Sequence, residues 1–279
     1  MVYPEIDKVA FHVWKFPVHW YGIMYLAGFI IAFKLLQQRA KHAQHKDDWN
    51  TEKIADLVFY GALGVIIGGR LGYVLFYNFD RLMVDWLSVF RIWEGGMSFH
   101  GGLLGVVVAL WLFARRYKFG LFTITDFAAP VTPLGLGLGR LGNFINGELW
   151  GKPTDLPWGM MLKCKNLSVT DHLRKYCDIN GITKPLHPSQ LYEFFLEGIV
   201  LFVVVWFFAK KPRPTMAVSG VFLVFYGLFR FLVEFIRLPD GGKYFAFGWL
   251  TKGQLLSVPM VLIGGLLLWL AYRRQAVSV

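Results

Sequence analysis

Long apolar segments are the feature that most limits what this chain can fold into. They lie at residues 18–36, 54–77, 97–114, 121–145, 190–208, 216–237 and 253–272. Each is close to or above the roughly 20 residues that a helix needs to cross a bilayer. Hydrophobic residues make up 56% of the 279 residues and charged residues only 17%, which is more apolar than an ordinary soluble domain. The sequence therefore predicts an all-α polytopic membrane protein with about seven transmembrane helices.

The positive charges predict the orientation of these helices. The net charge is +11, but lysine and arginine are spread between the apolar segments and form no single basic stripe, so we expect no nucleic-acid partner. The loops after the first, third, fifth and seventh segments are the richest in them, as at Arg115, Arg116 and Lys118. Such loops favour the cytoplasmic side. We therefore predict a periplasmic N-terminus and a cytoplasmic C-terminus. The first segment lacks the basic leader and cleavage site of a signal peptide.

One long polar connection separates the fourth and fifth segments. We interpret the whole chain, 1–279, as a single integral membrane domain, with residues 146–188 inserted as a small periplasmic head. This loop contains both cysteines, Cys164 and Cys177. In an oxidising compartment they could form a disulfide, and two free thiols fit the sequence equally well.

Glycines recur at the spacing that lets membrane helices pack closely. They are Gly64, Gly68 and Gly72 in the second segment, and Gly101 and Gly105 in the third. The stretch GLGRLG, residues 137–142, also matches the dinucleotide-binding pattern G-x-G-x-x-G. That pattern requires a preceding strand and a βαβ unit, which a membrane segment does not supply, so we reject a dinucleotide site.

Ionisable residues inside the apolar segments indicate a functional site. They are Arg70, Arg140, Arg230, Glu234 and Arg237, with Tyr21 and His100 at the outer ends of their segments. An arginine at the centre of a membrane helix costs about 2.5–3.5 kcal/mol on insertion scales. At about 1.5 Å per residue, all seven side chains fall near the outer headgroups. The charge at 140 is the hardest to explain as packing, because Asn143, Asn146 and Glu148 follow it.

Most of these residues also have a structural interpretation. Arg230 and Glu234 could form a buried ion pair, and Arg140 could pair with Glu148. Arg70 lies among packing glycines and fits a structural role better. Further, Tyr21 and Tyr226 could be interfacial aromatics, and His100 a core histidine. As a functional site, several arginines at headgroup depth would hold the phosphate of an anionic phospholipid, since guanidinium groups bind phosphate oxygens in bidentate fashion.

Five motifs together strongly resemble the bacterial phosphatidylglycerol–prolipoprotein diacylglyceryl transferase family. They are HWYGIMYLAGF (19–29), GGMSFHGG (95–102), GRLGNFINGELWG (139–151), HPSQLYE (187–193) and YGLFRFLVEFIR (226–237). The resemblance implies a multi-pass enzyme of the bacterial inner membrane, with its active site toward the periplasmic leaflet. It implies transfer of the diacylglyceryl group of phosphatidylglycerol to the lipobox cysteine thiol of a preprolipoprotein signal peptide. A thioether forms, glycerol phosphate is released, and no metal or cofactor is needed.

The resemblance also assigns roles to residues. It makes Arg140 and Arg230 essential arginines that stabilise the leaving phosphate. By residue type, His100 is the candidate base that deprotonates the thiol, although a histidine that binds the headgroup would look the same in sequence. We expect the other site residues to bind substrate or orient the arginines; these are Tyr21, Asn143, Glu148, Tyr226, Glu234, Arg237 and His187. The last of these precedes Pro188 and would either cap the fifth helix or lie near the cleft.

Two other classes of protein are weighed against this hypothesis. An anion or lipid transporter would also line its path with arginines, but it should carry charges through the cytoplasmic half as well. An intramembrane serine protease would use Ser98 or Ser189 with a histidine. Neither serine lies in a G-x-S-x-G setting, and the sequence favours the transferase.

Overall fold

The computed structural model describes residues 1–42, 48–91, 95–167, 171–239, 242 and 244–277. The chain divides into two compact units. The first consists of Met1–Ile30 together with Ala129–Val279, and the second of Ile31–Ala128.

Helices occupy every apolar segment predicted from the sequence. They are α1 (Trp20–Ala40), α2 (Thr51–Tyr77), α3 (Phe79–Val84), α4 (Phe99–Tyr117), α5 (Leu121–Ala128), α6 (Thr132–Ile145), α7 (Ser189–Glu193), α8 (Leu201–Phe208), α9 (Ala217–Val233) and α10 (Lys252–Val277). A π-helical segment, Phe194–Val200, joins α7 and α8 into one apolar helix. Within the described ranges, five helices are long and apolar enough to cross a membrane, or six if one bent pair forms a span. The chain is thus a mostly helical, polytopic membrane protein.

Two details differ from the predicted helices. The segment predicted at 121–145 is broken: α5 ends at Ala128 and α6 begins at Thr132. Pro130 lies in the break, where a residue without an N–H ends a helix, and Pro133 lies in the first turn of α6, where proline is tolerated. In addition, a β-hairpin that the sequence did not predict precedes α1, with β1 (Val9–Val13) antiparallel to β2 (Phe16–His19).

In the second unit, glycines bring α2 and α4 into close contact, as predicted. A Cβ atom built on Gly64 would lie 2.7 Å from the carbonyl oxygen of Gly105, and one on Gly72 would lie 2.6 Å from the Cα of Gly101. No larger side chain fits at these distances. The packing interpretation of this glycine pattern is therefore confirmed.

Arg70 of α2 has the structural role that its surroundings suggested. Its guanidinium donates to the backbone oxygens of Ser88, Val89 and Gly95, with 2.9 Å between Nε and the oxygen of Val89. The side chain is buried. These bonds satisfy the charge within the protein and tie α2 to the segment before α4.

The predicted head, residues 146–188, contributes to a small apolar core. Trp150, Leu162, Leu173 and Leu186 are buried there against Leu238. The N-terminal segment joins the head through a bridge between Val2 and Met161. A disulfide links Cys164 to Cys177, with an S–S distance of 1.98 Å. Of the two alternatives that the sequence left open, the structure thus has the disulfide.

Loss of this disulfide should destabilise the head. The two cysteines are 13 residues apart, and closing a loop of that size stabilises a fold by about 3 kcal/mol. We expect the double variant Cys164→Ser/Cys177→Ser to unfold at a lower temperature than the parent protein, as measured by thermal unfolding in detergent. A reductant should lower the midpoint of the parent but leave the variant unchanged. Equal midpoints in oxidising buffer would contradict a stabilising role.

Candidate active site

A cluster of buried charges lies among the helices of the first unit. We call Arg140, Glu193, Glu197, Arg230, Glu234 and Arg237 the arginine–glutamate cluster. Nε and Nη2 of Arg140 donate to Oε2 of Glu197 at 3.2 and 3.1 Å, and its Nη1 lies 3.4 Å from Oε2 of Glu193. The other oxygen of Glu193 accepts from Nη1 of Arg230. Glu193 therefore bridges the two arginines that the sequence singled out.

The local sequence explains how these side chains meet. A Cβ built on Gly137 of α6 would lie 2.9 Å from the Cα of Gly198 in the π-helical segment, so only glycines permit this approach. The close contact brings Arg140, three residues after Gly137, within reach of Glu197. Glu193 ends α7 and Glu197 lies in the π-helical turn that follows. Such π-helical turns occur frequently at functional sites.

The cluster is asymmetric in its exposure. The side chains of Glu193 and Glu197 are completely buried, whereas those of Arg140 and Arg230 are 19% and 14% exposed. Each carboxylate also has one buried oxygen, Oε2 of Glu193 and Oε1 of Glu197, without a hydrogen-bond partner. An incoming ligand would therefore meet guanidinium groups first.

Glu148 is not the partner of Arg140, so that structural interpretation is wrong. Oε1 of Glu148 accepts from Nδ2 of Asn143 at 2.9 Å and from Nδ2 of Asn146 at 3.4 Å. Asn143 also lies 3.3 Å from the hydroxyl of Tyr21. These four side chains form a separate polar network at the end of α6. Arg140 instead pairs with glutamates that lie more than fifty residues later in the chain.

Arg230 and Glu234 form the buried ion pair that their spacing suggested. Glu234 also accepts from Arg237 Nη1 at 2.9 Å and from the hydroxyl of Thr251. A Cβ on Gly253 would lie 2.5 Å from the carboxyl carbon of Glu234, so α10 covers this carboxylate closely. Both Glu234 and Arg237 are buried. These contacts favour a role in supporting Arg230, and direct contact of either residue with a substrate stays a prediction.

His187 does not cap the fifth apolar helix. Its Nδ1 lies 3.1 Å from the hydroxyl of Tyr192, which accepts from Nε1 of Trp158 at 2.7 Å. Partial burial lowers the pKa of His187, which favours the neutral form of its ring. The capping alternative is thus wrong. The other alternative, a position near the cleft, stays a prediction.

Tyr226 and His100 lie in different units. Tyr226 is one turn before Arg230 on α9, and its ring stacks on that of Phe222 with 5.8 Å between the centroids. His100 is exposed in the first turn of α4, so it is not a core histidine. Its role as a base or as a headgroup ligand stays a prediction.

The two serines of the protease alternative have structural roles. The hydroxyl of Ser98 caps α4 by accepting from the backbone N–H of Gly101 at 3.2 Å. The hydroxyl of Ser189 donates to the backbone oxygen of Leu149 at 2.7 Å. Neither contact involves a histidine, so the structure does not favour a serine nucleophile.

Glu193 and Glu197 are residues of the cluster that were not predicted from the sequence. Both lie inside the apolar segment predicted at 190–208. The rule that drew attention to the arginines, that charges inside membrane segments mark sites, applies to them equally. Their spacing of four residues would have placed them on one helical face.

Apolar helices surround two partly exposed arginines that pair with buried glutamates. This arrangement defines an integral membrane protein with a polar site inside its helical region. Residues 8–270 match the family model described as "Prolipoprotein diacylglyceryl transferase". The chain is 52% identical over 276 residues to the phosphatidylglycerol–prolipoprotein diacylglyceryl transferase of Coxiella burnetii (strain RSA 331 / Henzerling II), covering 99% of each chain. It is also 52% identical over 277 residues to the protein of that name from Pseudomonas aeruginosa (strain UCBPP-PA14), covering 99% of this chain and 97% of the relative.

The chain belongs to the prolipoprotein diacylglyceryl transferase family. The family predicted from the five motifs is thus confirmed, and with it the assignment of the chain as a transferase of lipoprotein biosynthesis.

Proposed function

We propose that Arg140 and Arg230 bind the phosphate of phosphatidylglycerol while its diacylglyceryl group passes to the lipobox cysteine of a preprolipoprotein. The observation that carries this proposal is the bridge through Glu193, which holds two partly exposed guanidinium groups together in a buried site. Two arginines fixed in this way match the oxygens of one phosphodiester. Both substrates also appear in the names of the relatives.

During the reaction, negative charge develops on the leaving phosphate and has to be stabilised. The thiolate sulfur attacks the glycerol carbon that carries the phosphate, the carbon–oxygen bond breaks, and its electron pair stays on the phosphate oxygen. Glu197 already occupies Nε and Nη2 of Arg140, so the phosphate meets the remaining N–H groups at the Nη end. Donors held in place before the reaction stabilise such developing charge without reorganisation. The thiol proton passes to a base, for which His100 is the candidate by residue type.

A direct assay tests this function. Purified protein is incubated with phosphatidylglycerol and a synthetic peptide that contains a lipobox cysteine. We expect the peptide to gain the mass of one diacylglyceryl group and free glycerol phosphate to appear in equal amount. A peptide with serine in place of that cysteine is the matched control. Absence of both products with a folded protein would reject the proposed function.

We further propose seven transmembrane spans in the bacterial inner membrane, with the N-terminus and the head, residues 146–188, in the periplasm. Two elements add to the five long helices: the bent pair α5 and α6 serves as one span, and α9, an apolar helix of 17 residues, as another. The basic loops on one side support the orientation. In this arrangement the active site faces the periplasmic leaflet, where the lipobox peptide arrives.

Cysteine labelling in intact cells checks this orientation. A single cysteine at Tyr117 or Pro212 should be shielded from a membrane-impermeant thiol reagent, whereas one at Asp155 should react. Asp155 and Pro212 are both exposed on the protein surface, so shielding would reflect the membrane. The native disulfide can stay, because bonded cysteines do not react. A third position, Gln44, has the same expectation but lies outside the described residues. Labelling at Pro212 would reverse the orientation.

A further inference from the structure

The charges of the arginine–glutamate cluster balance. Three guanidinium groups face three carboxylates, and the ion pairs among them run from Glu197 through Arg140, Glu193, Arg230 and Glu234 to Arg237. In a site that served only to attract phosphate, unpaired positive charge would increase the affinity for phosphate. Here Glu193 and Glu197 neutralise the very arginines that meet the ligand.

Both carboxylates have a buried oxygen without a hydrogen bond, and these oxygens oppose additional negative charge. Oε2 of Glu193 and Oε1 of Glu197 are buried without a hydrogen-bond donor. Both carboxylates are completely buried beside Arg140, where charges are poorly screened. One negative charge between the arginines is stabilised by them. A second negative charge adds repulsion from the two carboxylates, which already share these arginines.

The proposed reaction raises the charge of the bound phosphate. Phosphatidylglycerol is a phosphodiester with a single negative charge. Attack by the thiol breaks one of its ester bonds, and the phosphate keeps the oxygen and its electron pair. The product is therefore a phosphate monoester, which carries a charge of about −1.5 to −2 at pH 7, while the thiol proton leaves on the base.

We propose that Glu193 and Glu197 act as positioning and specificity residues that make the site prefer the phosphodiester substrate over the phosphomonoester product, which promotes product release. The inference rests on the proposed function, since it assumes that the phosphate lies at Arg140 and Arg230. The carboxylates act through the arginines and do not touch the reacting atoms.

Competition binding tests the proposal without requiring turnover. Radiolabelled phosphatidylglycerol is bound to the detergent-purified protein and displaced by glycerol phosphate, a monoester, or by glycerophosphoglycerol, a diester. The readout is a ratio of two concentrations: that of the monoester and that of the diester that each displace half of the label. In Glu193→Gln and Glu197→Gln, we expect this ratio to shift toward the monoester by about tenfold, which corresponds to about 1.4 kcal/mol. The ratio does not depend on the folded fraction.

Two further variants separate charge from shape. Glu193→Asp keeps the charge, and its ratio should match that of the parent protein. Glu5→Gln removes a carboxylate from an exposed pair with Lys163 and should also leave the ratio unchanged. An unchanged ratio in both buried glutamine variants, or an equal shift in Glu193→Asp, would overturn the proposal. If the parent protein does not bind phosphatidylglycerol, the proposed function itself is rejected.

Discussion

Replacing Arg140 with lysine is expected to lower turnover by about 10²–10³-fold, the usual effect of removing one donor from a preorganised site. The structure gives two reasons. Arg140 reaches Glu197 through two nitrogen atoms and Glu193 through a third, and a lysine ammonium lacks this planar fork. A lysine that paired with one of these carboxylates would leave the other carboxylate and the phosphate without a donor. Arg140→Gln should be more impaired still, and Arg230 should show the same order.

The measurement is turnover per folded molecule in detergent, with thermal unfolding of each variant in parallel. Arg213→Lys is the matched control, because Arg213 is exposed and its Nε donates to the backbone oxygen of Phe208. If Arg140→Lys keeps near-normal turnover once corrected for folded protein, Arg140 serves the fold alone. In that case the phosphate role proposed for the pair would be withdrawn.

The helices were predictable because a long apolar run in a membrane has few alternatives. The finer bends were not. Apolar composition does not show whether Pro130 kinks one continuous helix or separates two helices. It also does not show that residues 194–200 form a π-helical turn. The hairpin Val9–His19 was not predicted for another reason. It is short, and most of it precedes the first apolar segment, residues 18–36.

The arginines of the candidate site could be predicted from the sequence, but their partners could not. Arg140 and Arg230 stand out because a charge within an apolar segment needs a reason. Their partners did not follow from sequence distance, since Glu148 is close to Arg140 in the chain whereas Glu197 is 57 residues away. Only the packing of Gly137 against Gly198 decides between them. Long-range pairing of this kind depends on helix contacts, which a single sequence does not specify.

Replacing His100 with asparagine is expected to lower turnover by about 10²–10⁴-fold, the range found when a general acid or base is removed. Thiols are mostly protonated at neutral pH, and imidazole is the side chain that most readily accepts a proton there. His100 is exposed in the first turn of α4, so its ring is open to a reactant. His100→Asn should still bind phosphatidylglycerol as the parent protein does.

The pH dependence separates a base from a headgroup ligand. Above the pKa of the peptide thiol, the nucleophile is already a thiolate and needs no base, so the rate of His100→Asn should recover in part as pH rises toward 9. The matched control is His42→Asn, an exposed histidine after α1. Weakened binding of phosphatidylglycerol without recovery at high pH would assign His100 to the headgroup instead. Near-normal turnover would remove His100 from the site, and the thiol would then need a base among residues that the sequence did not single out.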